Sequence, residues 1–397
     1  MLLKRKEFLQ IGSLATASMM MPKFLKAFEK KSMVPPGNKV VVVIQFNGGN
    51  DGLNTVIPVT NDIYFRERNT IAIKKESALA INTDVGLHPS LTALKGLYDD
   101  GNLAILNNVG YPNPDRSHFR SMDIWQSASA SNQYWNTGWL GRYLDAQCKN
   151  CTKPTYALEL DDTLSLALKG NDSNGLAFKD PRRLYSTSNE KFYRDINAAH
   201  KDEHTAVDYL YKTMSETLSS ADYIFQQSKL HPSTQAYPAS GLGKDLKTIA
   251  SLILSEINTK VYYLSLGSFD THANQQNQQK RLFDEFNDAV KAFTTDMKTN
   301  GRFDDVLMMT FSEFGRRVSQ NASNGTDHGT ANNMFFMGGA LKQKGLLNDM
   351  PNLSDLSEGD LKYKVDFRNV YATVINKWLG VDDKEILGGS FERMNFI

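Results

Sequence analysis

The fold is decided by one stretch of the sequence, KVVVVIQFNGGNDG, which occupies residues 39–52. Its first half is a continuous run of mostly β-branched residues, and such a run is typical of a strand buried on both faces of a parallel sheet. Its second half is rich in glycine and asparagine and predicts a loop. The sequence therefore predicts that Asp51 lies in a loop at the carboxyl end of a buried strand.

The same pattern recurs along the chain. Further strands are predicted at residues 103–107, 260–266 and 305–311, and helices at residues 91–98, 279–298 and 367–379. Strands that alternate with helices predict a doubly wound α/β fold, with a mostly parallel sheet and flanking helices. Between about Trp139 and Pro238 the pattern changes to a long, polar, mainly helical segment. We interpret this segment as an insert in a single domain that spans residues 39–397.

The first 31 residues predict an export signal or tether. Lys4, Arg5 and Lys6 precede an apolar stretch of ~14 residues, which is too short to span a bilayer, since a span needs ~20. The segment RKEFL resembles the twin-arginine consensus, with Lys6 in place of the second arginine, and favours the Tat route over the Sec route. The alternatives are an amphipathic surface helix and an uncleaved anchor. We expect a periplasmic or secreted protein.

A linker follows this signal at residues 32–38, where two prolines and a glycine block both helix and strand. No later apolar run is long enough to cross a membrane. The two cysteines, Cys148 and Cys151, form one C-x-x-C, which excludes a disulfide-rich scaffold and a four-cysteine zinc site.

The net charge of +1 comes from 45 basic and 44 acidic residues. The signal region contributes seven of the basic and two of the acidic residues, so the rest of the chain holds 38 basic and 42 acidic residues. A mildly acidic body gives no support for nucleic-acid binding. An anionic substrate would then be recognised by bound cations and local arginines.

Acidic and histidine side chains gather at the predicted carboxyl ends of the strands, the edge at which open α/β sheets bind ligands. Taken singly, such residues are most often helix caps or turn residues. Their coincidence predicts a metal site, because carboxylate and imidazole groups suit Zn, Mn, Fe, Ca or Mg. The residues are Asp51, Asp270, His272, Glu313, Asp327 and His328, with Arg116, Ser117 and His118 beside the second strand.

Six segments resemble those of domain of unknown function family 1501. They are FNGGNDGLNT, NVGYPNPDRSHFRSMDIWQSA, GSFDTHANQ, FSEFGRR, GTDHGTANNMFFMGGAL and DFRNVYATVINKWLGV, in that order from about Val41 to Gly380. The resemblance implies an alkaline-phosphatase-like fold and an exported protein. Because the family is uncharacterised, the motifs are less specific for an activity.

The resemblance also implies one or two divalent metal ions, which would be Zn, Mn, Mg or Ca. Asp270, His272 and His328 correspond to one metal site of the superfamily, and Asp327 lies beside it. Only Thr271 separates Asp270 from His272, which is closer than the usual spacing of the superfamily.

A second metal site would consist of Asp51 and Glu313, bridged by Ser117. Phe314 stands where the superfamily has an imidazole. A phenyl ring cannot bind a metal ion, so this second site is predicted to be weak, Mg-like or empty.

The implied activity is hydrolysis of a phosphate or sulfate ester, of a small molecule or a polysaccharide. Two metal ions neutralise the charge of such an ester, and Ser117 is the candidate nucleophile at a helix amino terminus. Arg116 or Arg316 would clamp the ester oxygens, or would be solvated surface charges. His118 would act as a general acid or as an extra metal ligand.

Two alternatives remain at the sequence level. Ser117 is a favoured residue for a helix cap and could serve only as that. The protein could also be a superfamily member that has lost catalysis and acts as a binding or assembly protein of the cell envelope. A dinucleotide-dependent oxidoreductase fits poorly, because the loop NGGNDG lacks the G-x-G-x-x-G pattern and its aspartate would repel a pyrophosphate.

Overall fold

The protein is described by a computed structural model that covers residues 38–147, 154–190, 193 and 205–397. The predicted export signal, nearly all of the linker, and both cysteines lie outside the described residues. The strands are β1 (Val40–Phe46), β2 (Val56–Pro58), β3 (Leu79–Ala80), β4 (Val85–Leu87), β5 (Leu103–Gly110), β6 (Ala157–Glu159), β7 (Leu176–Ala177), β8 (Val261–Leu266), β9 (Val306–Ser312), β10 (Asn332–Met337), β11 (Gly345–Leu346), β12 (Leu356–Ser357), β13 (Asp360–Leu361) and β14 (Val365–Asp366).

Helices connect most of these strands. The α-helices are α1 (Gly52–Thr55), α2 (Asp62–Glu67), α3 (Thr92–Asp99), α4 (His118–Ser127), α5 (Trp139–Gln147), α6 (Pro181–Ser188), α7 (Thr205–Leu230), α8 (Gly241–Leu254), α9 (Gln275–Thr299), α10 (Phe367–Thr373) and α11 (Asp383–Leu387). A π-helical turn, Val374–Trp378, extends α10. Short 3₁₀ turns cover Pro154–Tyr156, Leu166–Leu168 and Phe303–Asp305.

Among the described residues, nine strands form the main sheet, in the order β11-β5-β10-β9-β1-β8-β6-β7, with β14 also paired to β5. β1 lies between β8 and β9 and is parallel to both, with Val43 opposite Tyr263 and Met309. Within the described part of this sheet, β10 alone runs antiparallel to its neighbours. The predicted fold class, a mostly parallel sheet with flanking helices, is confirmed.

Both faces of β1 are buried, as its unbroken apolar run predicts. Val42 and Ile44 face a core cluster that includes α8 and α9, whereas Val41 and Val43 face a second cluster that includes α4, α5 and α10. Alternate side chains of a strand point to opposite faces, so helices on both sides require apolar residues at every position. This packing fixes β1 in the middle of the sheet and places its carboxyl end between those of β8 and β9.

The strands predicted from the sequence are all present, and β10 is the longest described strand of the main sheet that the sequence does not predict. Its residues follow a polar, glycine-rich loop and begin with Asn332 and Asn333, so the local sequence does not predict a strand there. Pairing with β5 and β9 stabilises a strand that the local residue propensities do not favour. Of the predicted helices, the one at residues 279–298 extends four residues further toward the amino terminus, as α9.

The described part of the segment 139–238 contributes both helices and strands. β6 pairs with β8, and β7 pairs with β6, so two short strands of this segment extend the main sheet at one edge. A separate three-stranded sheet, β2-β4-β3, packs near α2. None of the described helices combines the length and the apolar character that a membrane crossing requires.

Candidate metal centre

The carboxyl ends of β1, β8 and β9 meet at one edge of the sheet, where Phe46 pairs with Leu266 and with Ser312. The loops that follow these strands therefore lie side by side. The loop after β1 lies directly against the loop after β8. Gly48 has a φ of +118°, and a Cβ there would clash with the backbone of Asp270. Only glycine is compatible with this position.

Three imidazoles converge on Asp270 in this region. The Nε2 atoms of His118, His272 and His328 lie 3.6, 3.1 and 3.4 Å from Asp270 Oδ1. The Nε2 atoms of His272 and His328 are 3.0 Å apart. Ligand atoms of His118, Asp270 and His328 all lie within 4.8 Å of one another. We call these four residues the histidine–Asp270 cluster.

The inward nitrogens of the cluster are short of partners. His118 Nε2 is buried and has no hydrogen-bond partner. Two facing imidazole nitrogens can share only one proton, so the contact between His272 and His328 satisfies one of them as a donor and the other as an acceptor. A divalent cation held by His118, Asp270 and His328 would bind two of these imidazoles and the carboxylate together, with His272 beside it. This donor set fits zinc or manganese better than calcium or magnesium.

The outward nitrogen of each imidazole has its own partner. His118 Nδ1 lies 2.8 Å from Glu313 Oε1, and His272 Nδ1 lies 3.1 Å from Asp327 Oδ1. His328 Nδ1 lies 2.8 Å from the carbonyl oxygen of Arg116. Metal-binding histidines generally donate their other N–H to a carboxylate or a carbonyl, which fixes the tautomer and the ring orientation. The cluster has this outer arrangement for every imidazole.

Glu313 and Asp327 thus contact the imidazoles from behind, on the side away from Asp270. Glu313 is fully buried and also accepts a hydrogen bond from the backbone N–H of Gly48 at 2.8 Å. Asp327 is more open and also accepts from the Asn321 side chain at 3.1 Å. The sequence predicts both as metal ligands, and the structure places both one step further out.

The surroundings of the cluster shift the pKa values of two of its histidines, His118 and His328, in opposite directions. The hydrogen bond to Glu313 raises the pKa of His118, whereas burial lowers the pKa of His328. Burial opposes ionisation of Asp270, but the hydrogen bond and the charge of Arg316 lower its pKa below the ordinary value. Ionised Asp270 and neutral His328 are the forms that bind metal.

Phe314 forms the apolar wall of the cluster. Its ring centroid lies 4.9 Å from that of His118 and 4.7 Å from that of His328. Gly49, with a φ of +75°, leaves room for this ring, because a Cβ at Gly49 would overlap it. The phenyl ring at the position of the expected imidazole therefore packs against the rings of two histidines.

Asp51 lies outside the cluster and is only 1% exposed. Its Oδ1 caps α1 by accepting from the backbone N–H of Leu53 at 3.2 Å. Its Oδ2 lies 2.5 Å from Arg68 Nη1 and also accepts from the Gln275 side chain. The carboxylate that the resemblance assigns to a second metal site is therefore bound to a guanidinium.

Arg316 and Arg116, the predicted oxygen clamps, differ in burial. Arg316 is buried and donates to the carbonyl oxygens of Gly49 and Thr326, at 2.6 and 2.8 Å, and to Asp270 Oδ1 at 2.8 Å. Because Arg316 is buried, it is not a solvated surface charge. Its hydrogen bonds connect the loops after β1, β8 and β9. Arg116 is partly exposed and pairs with Asp360.

Ser117 is exposed and occupies the N-cap position of α4, but its side chain makes no capping hydrogen bond. Its backbone N–H donates to Asp115 Oδ1 at 2.6 Å. Of the residues on either side, His118 belongs to the cluster, and the carbonyl oxygen of Arg116 contacts His328. The alternative that the hydroxyl only caps its helix does not describe this structure.

Two residues of the site have no signal in the sequence. Arg68 follows α2 and contacts Asp51 in the loop after β1, yet nothing in the local sequence distinguishes it from the exposed Arg66. Gln275 ends the GSFDTHANQ segment at the start of α9, and its role becomes visible only from its contact with Asp51. A signal for Arg68 would require knowledge of its distance from Asp51 in space.

The fold and the cluster define an α/β protein with a metal-type group of side chains at the carboxyl edge of its sheet. The sequence matches the family described as "Protein of unknown function (DUF1501)" over residues 38–394. This match covers most of the chain, so the chain belongs to that family, as its motifs predict. No curated protein matches the sequence.

The solved structures that are similar to this chain include a synthase, a sulfatase and a protein in the alkaline phosphatase superfamily. The lipoteichoic acid synthase LtaP from Listeria monocytogenes is 10% identical over 96% of this chain and 80% of its own, with a TM-score of 0.41. The sulfatase PsFucS1 from Pseudoalteromonas sp. is 12% identical over 99% of this chain and 75% of its own, with a TM-score of 0.41. A protein in the alkaline phosphatase superfamily from Vibrio parahaemolyticus is 10% identical over 98% and 78%, with a TM-score of 0.38.

Proposed function

We propose that this protein is an exported, metal-dependent hydrolase of phosphate or sulfate esters, with Ser117 as its nucleophile. The observation that carries the proposal is the convergence of three imidazole Nε2 atoms on Asp270 Oδ1, each imidazole having an outward partner. Export rests on the first 31 residues of the sequence. The substrate would be an anionic ester of a small molecule or a polysaccharide.

The histidine–Asp270 cluster would hold the metal ion, which is a divalent cation such as Zn²⁺ or Mn²⁺. When bound there, the ion supplies positive charge that polarises the ester and offsets the charge of its oxygens. Glu313 and Asp327 orient the rings of His118 and His272. The neighbouring wall of Phe314 keeps water from one side of the imidazoles.

The surroundings of Ser117 support its proposed role as the nucleophile. The residue is exposed, its side chain makes no capping hydrogen bond, and the next residue in the chain is His118 of the cluster. The free backbone N–H groups of the first turn of α4 favour an anionic ligand. In the reaction, Oγ bonds to phosphorus or sulfur as the ester bond breaks, the serine proton leaves with the alcohol, and water then cleaves the seryl ester.

The test is an ester screen of the full chain loaded with Zn²⁺ or Mn²⁺. We expect turnover of a p-nitrophenyl phosphate or sulfate ester, and a loss of at least ~1000-fold in Ser117→Ala, as for other nucleophile deletions. The matched control is Ser186→Ala, an exposed serine on α6. Full activity in Ser117→Ala would show that this serine is not the nucleophile.

A binding protein without catalysis is the second candidate, and a specific observation favours it. Asp51, which the resemblance assigns to a second metal site, is paired with Arg68, and Phe314 lacks a metal-binding atom. Metal binding without turnover of any ester in the screen would support this candidate over the hydrolase.

A further inference from the structure

Two buried guanidiniums each bind one of the carboxylates that the superfamily template assigns to metal. Arg316 binds Asp270, and Arg68 binds Asp51. Asp270 is half-exposed and so is open to an ion, although its Oδ1 contacts Arg316 as well as the three imidazoles. Asp51 has no such opening, since Arg68 and the carboxylate are both fully buried.

Arg68 is anchored by more than its ion pair. Its Nε donates to the carbonyl oxygen of Val318 at 2.8 Å, and Nη2 donates to that of Arg317 at 2.8 Å. Nη1, which binds Asp51, also contacts Asn54 Oδ1 at 3.0 Å. Withdrawal of the guanidinium would take the Arg68 donors away from the carbonyl oxygens of Val318 and Arg317, so a metal ion cannot displace it at low cost.

Glu313, the other carboxylate of the expected second site, is also engaged. Its Oε1 lies within hydrogen-bond distance of His118 Nδ1 and accepts a hydrogen bond from the backbone N–H of Gly48. The residue after it is Phe314, which packs on two imidazoles. A divalent cation placed beside Asp51 would also meet the positive charge of Arg68. The residues present therefore do not fit a second metal ion.

We propose that this chain holds a single divalent metal ion, at the histidine–Asp270 cluster, and that the buried guanidinium of Arg68 balances Asp51 in place of a second ion. The inference rests on the proposed function for the first ion. It adds that the charge of Asp51 is balanced by a side chain of the chain itself and needs no second ion.

A metal count on the full chain tests the inference. Protein stripped with a chelator is titrated with Zn²⁺, desalted, and analysed for metal and protein. The count is repeated with Mn²⁺, which binds stray imidazoles more weakly. We expect one equivalent per chain with either metal. Two equivalents in the wild type would overturn the inference while leaving the proposed hydrolase intact.

Two isosteric variants locate the ion. Asp51→Asn should still bind one equivalent, with a dissociation constant within about threefold of the wild type, because Asp51 touches no ion. Asp270→Asn should weaken binding by at least ~100-fold, beyond the usual effect of an outer partner. Loss of metal in Asp51→Asn would overturn the inference. If that variant does not fold, the wild-type count still decides.

The outcomes separate the two proposals. One equivalent without ester turnover would contradict the hydrolase and leave the single-ion site standing. No bound metal in the wild type would overturn both.

Discussion

Asp51 and Asp270 follow adjacent strands of one sheet, yet the side chain of Asp51 is 1% exposed and that of Asp270 is 48% exposed. Each contacts a buried arginine. The difference lies in the other neighbours, because Asp270 also faces three imidazoles, whereas Asp51 faces a backbone N–H and an amide. At the same edge of the sheet, the carboxylate after β1 forms a buried ion pair, whereas the carboxylate after β8 belongs to an open cluster.

Glu159 adds a third case at the same edge. It is the last residue of β6, beside β8, and is 4% exposed. Its side chain accepts from the backbone N–H of Ser165 at 2.7 Å. Burial raises the pKa of Glu159 to about 7. The three carboxylates therefore differ in their surroundings: Asp51 contacts a buried guanidinium, Asp270 contacts imidazoles in an open cluster, and Glu159 has a raised pKa.

The largest expected effect separates Asp51 from Asp270 by stability. Asp51→Ala should lower the free energy of unfolding by about 3–5 kcal/mol, because it leaves the buried Arg68 without its counter-charge. Asp270→Ala should cost less, about 1–2 kcal/mol in metal-free protein, because water can replace the half-exposed carboxylate and the buried Arg316 keeps its carbonyl acceptors. Urea titrations in chelator measure both. Equal losses would mean that the two ion pairs are equivalent and the comparison is wrong.

The next effect concerns the outer partners of the cluster. Glu313→Gln should weaken metal binding by about 10–100-fold, because the amide orients His118 less firmly than the buried carboxylate does. The matched variant is Asp327→Asn. Asp327 is 54% exposed, so water can replace its contact with His272 and a smaller loss is expected. Calorimetric titration with Zn²⁺ measures both constants, and an equal or reversed order would contradict the role given to Glu313.

The smallest effect is a pH dependence of stability at Glu159. Its folded pKa lies above the ordinary value, so its contribution to stability is complete below pH ~4.5 and is lost as the pH rises through about 7. Glu159→Gln removes this loss. The variant should match the wild type near pH 5 and exceed it by about 1–3 kcal/mol at pH 8. Urea titrations across this range check the sign, and a constant difference at all pH values would exclude the ionisation.

The sequence predicts most of the fold because the central strands are buried on both faces. The apolar runs that become β1, β8 and β9 cannot face water, so their identity as inner strands follows from composition alone. The antiparallel strand β10 was not predicted, because Asn332 and Asn333 at its start have low strand propensity and its pairing depends on distant residues.

The sequence also predicts which side chains reach the candidate site. Asp270, His272 and His328 come together as expected, and His118 joins them. The order of contacts within the site was not predictable. Whether Glu313 faces a metal position or the back of an imidazole depends on distances of a few ångströms between loops, and these follow from packing.

The sequence by itself determined the family, the parallel sheet and the edge at which its polar residues gather. These follow from strand burial and from local motifs, which need no distant contact. Only the tertiary structure decided which cation belongs to which carboxylate. Arg68 and Asp51 are 17 positions apart, and Arg316 and Asp270 are 46 apart. Charge pairing acts through distances in space, and these exist only once the loops have packed.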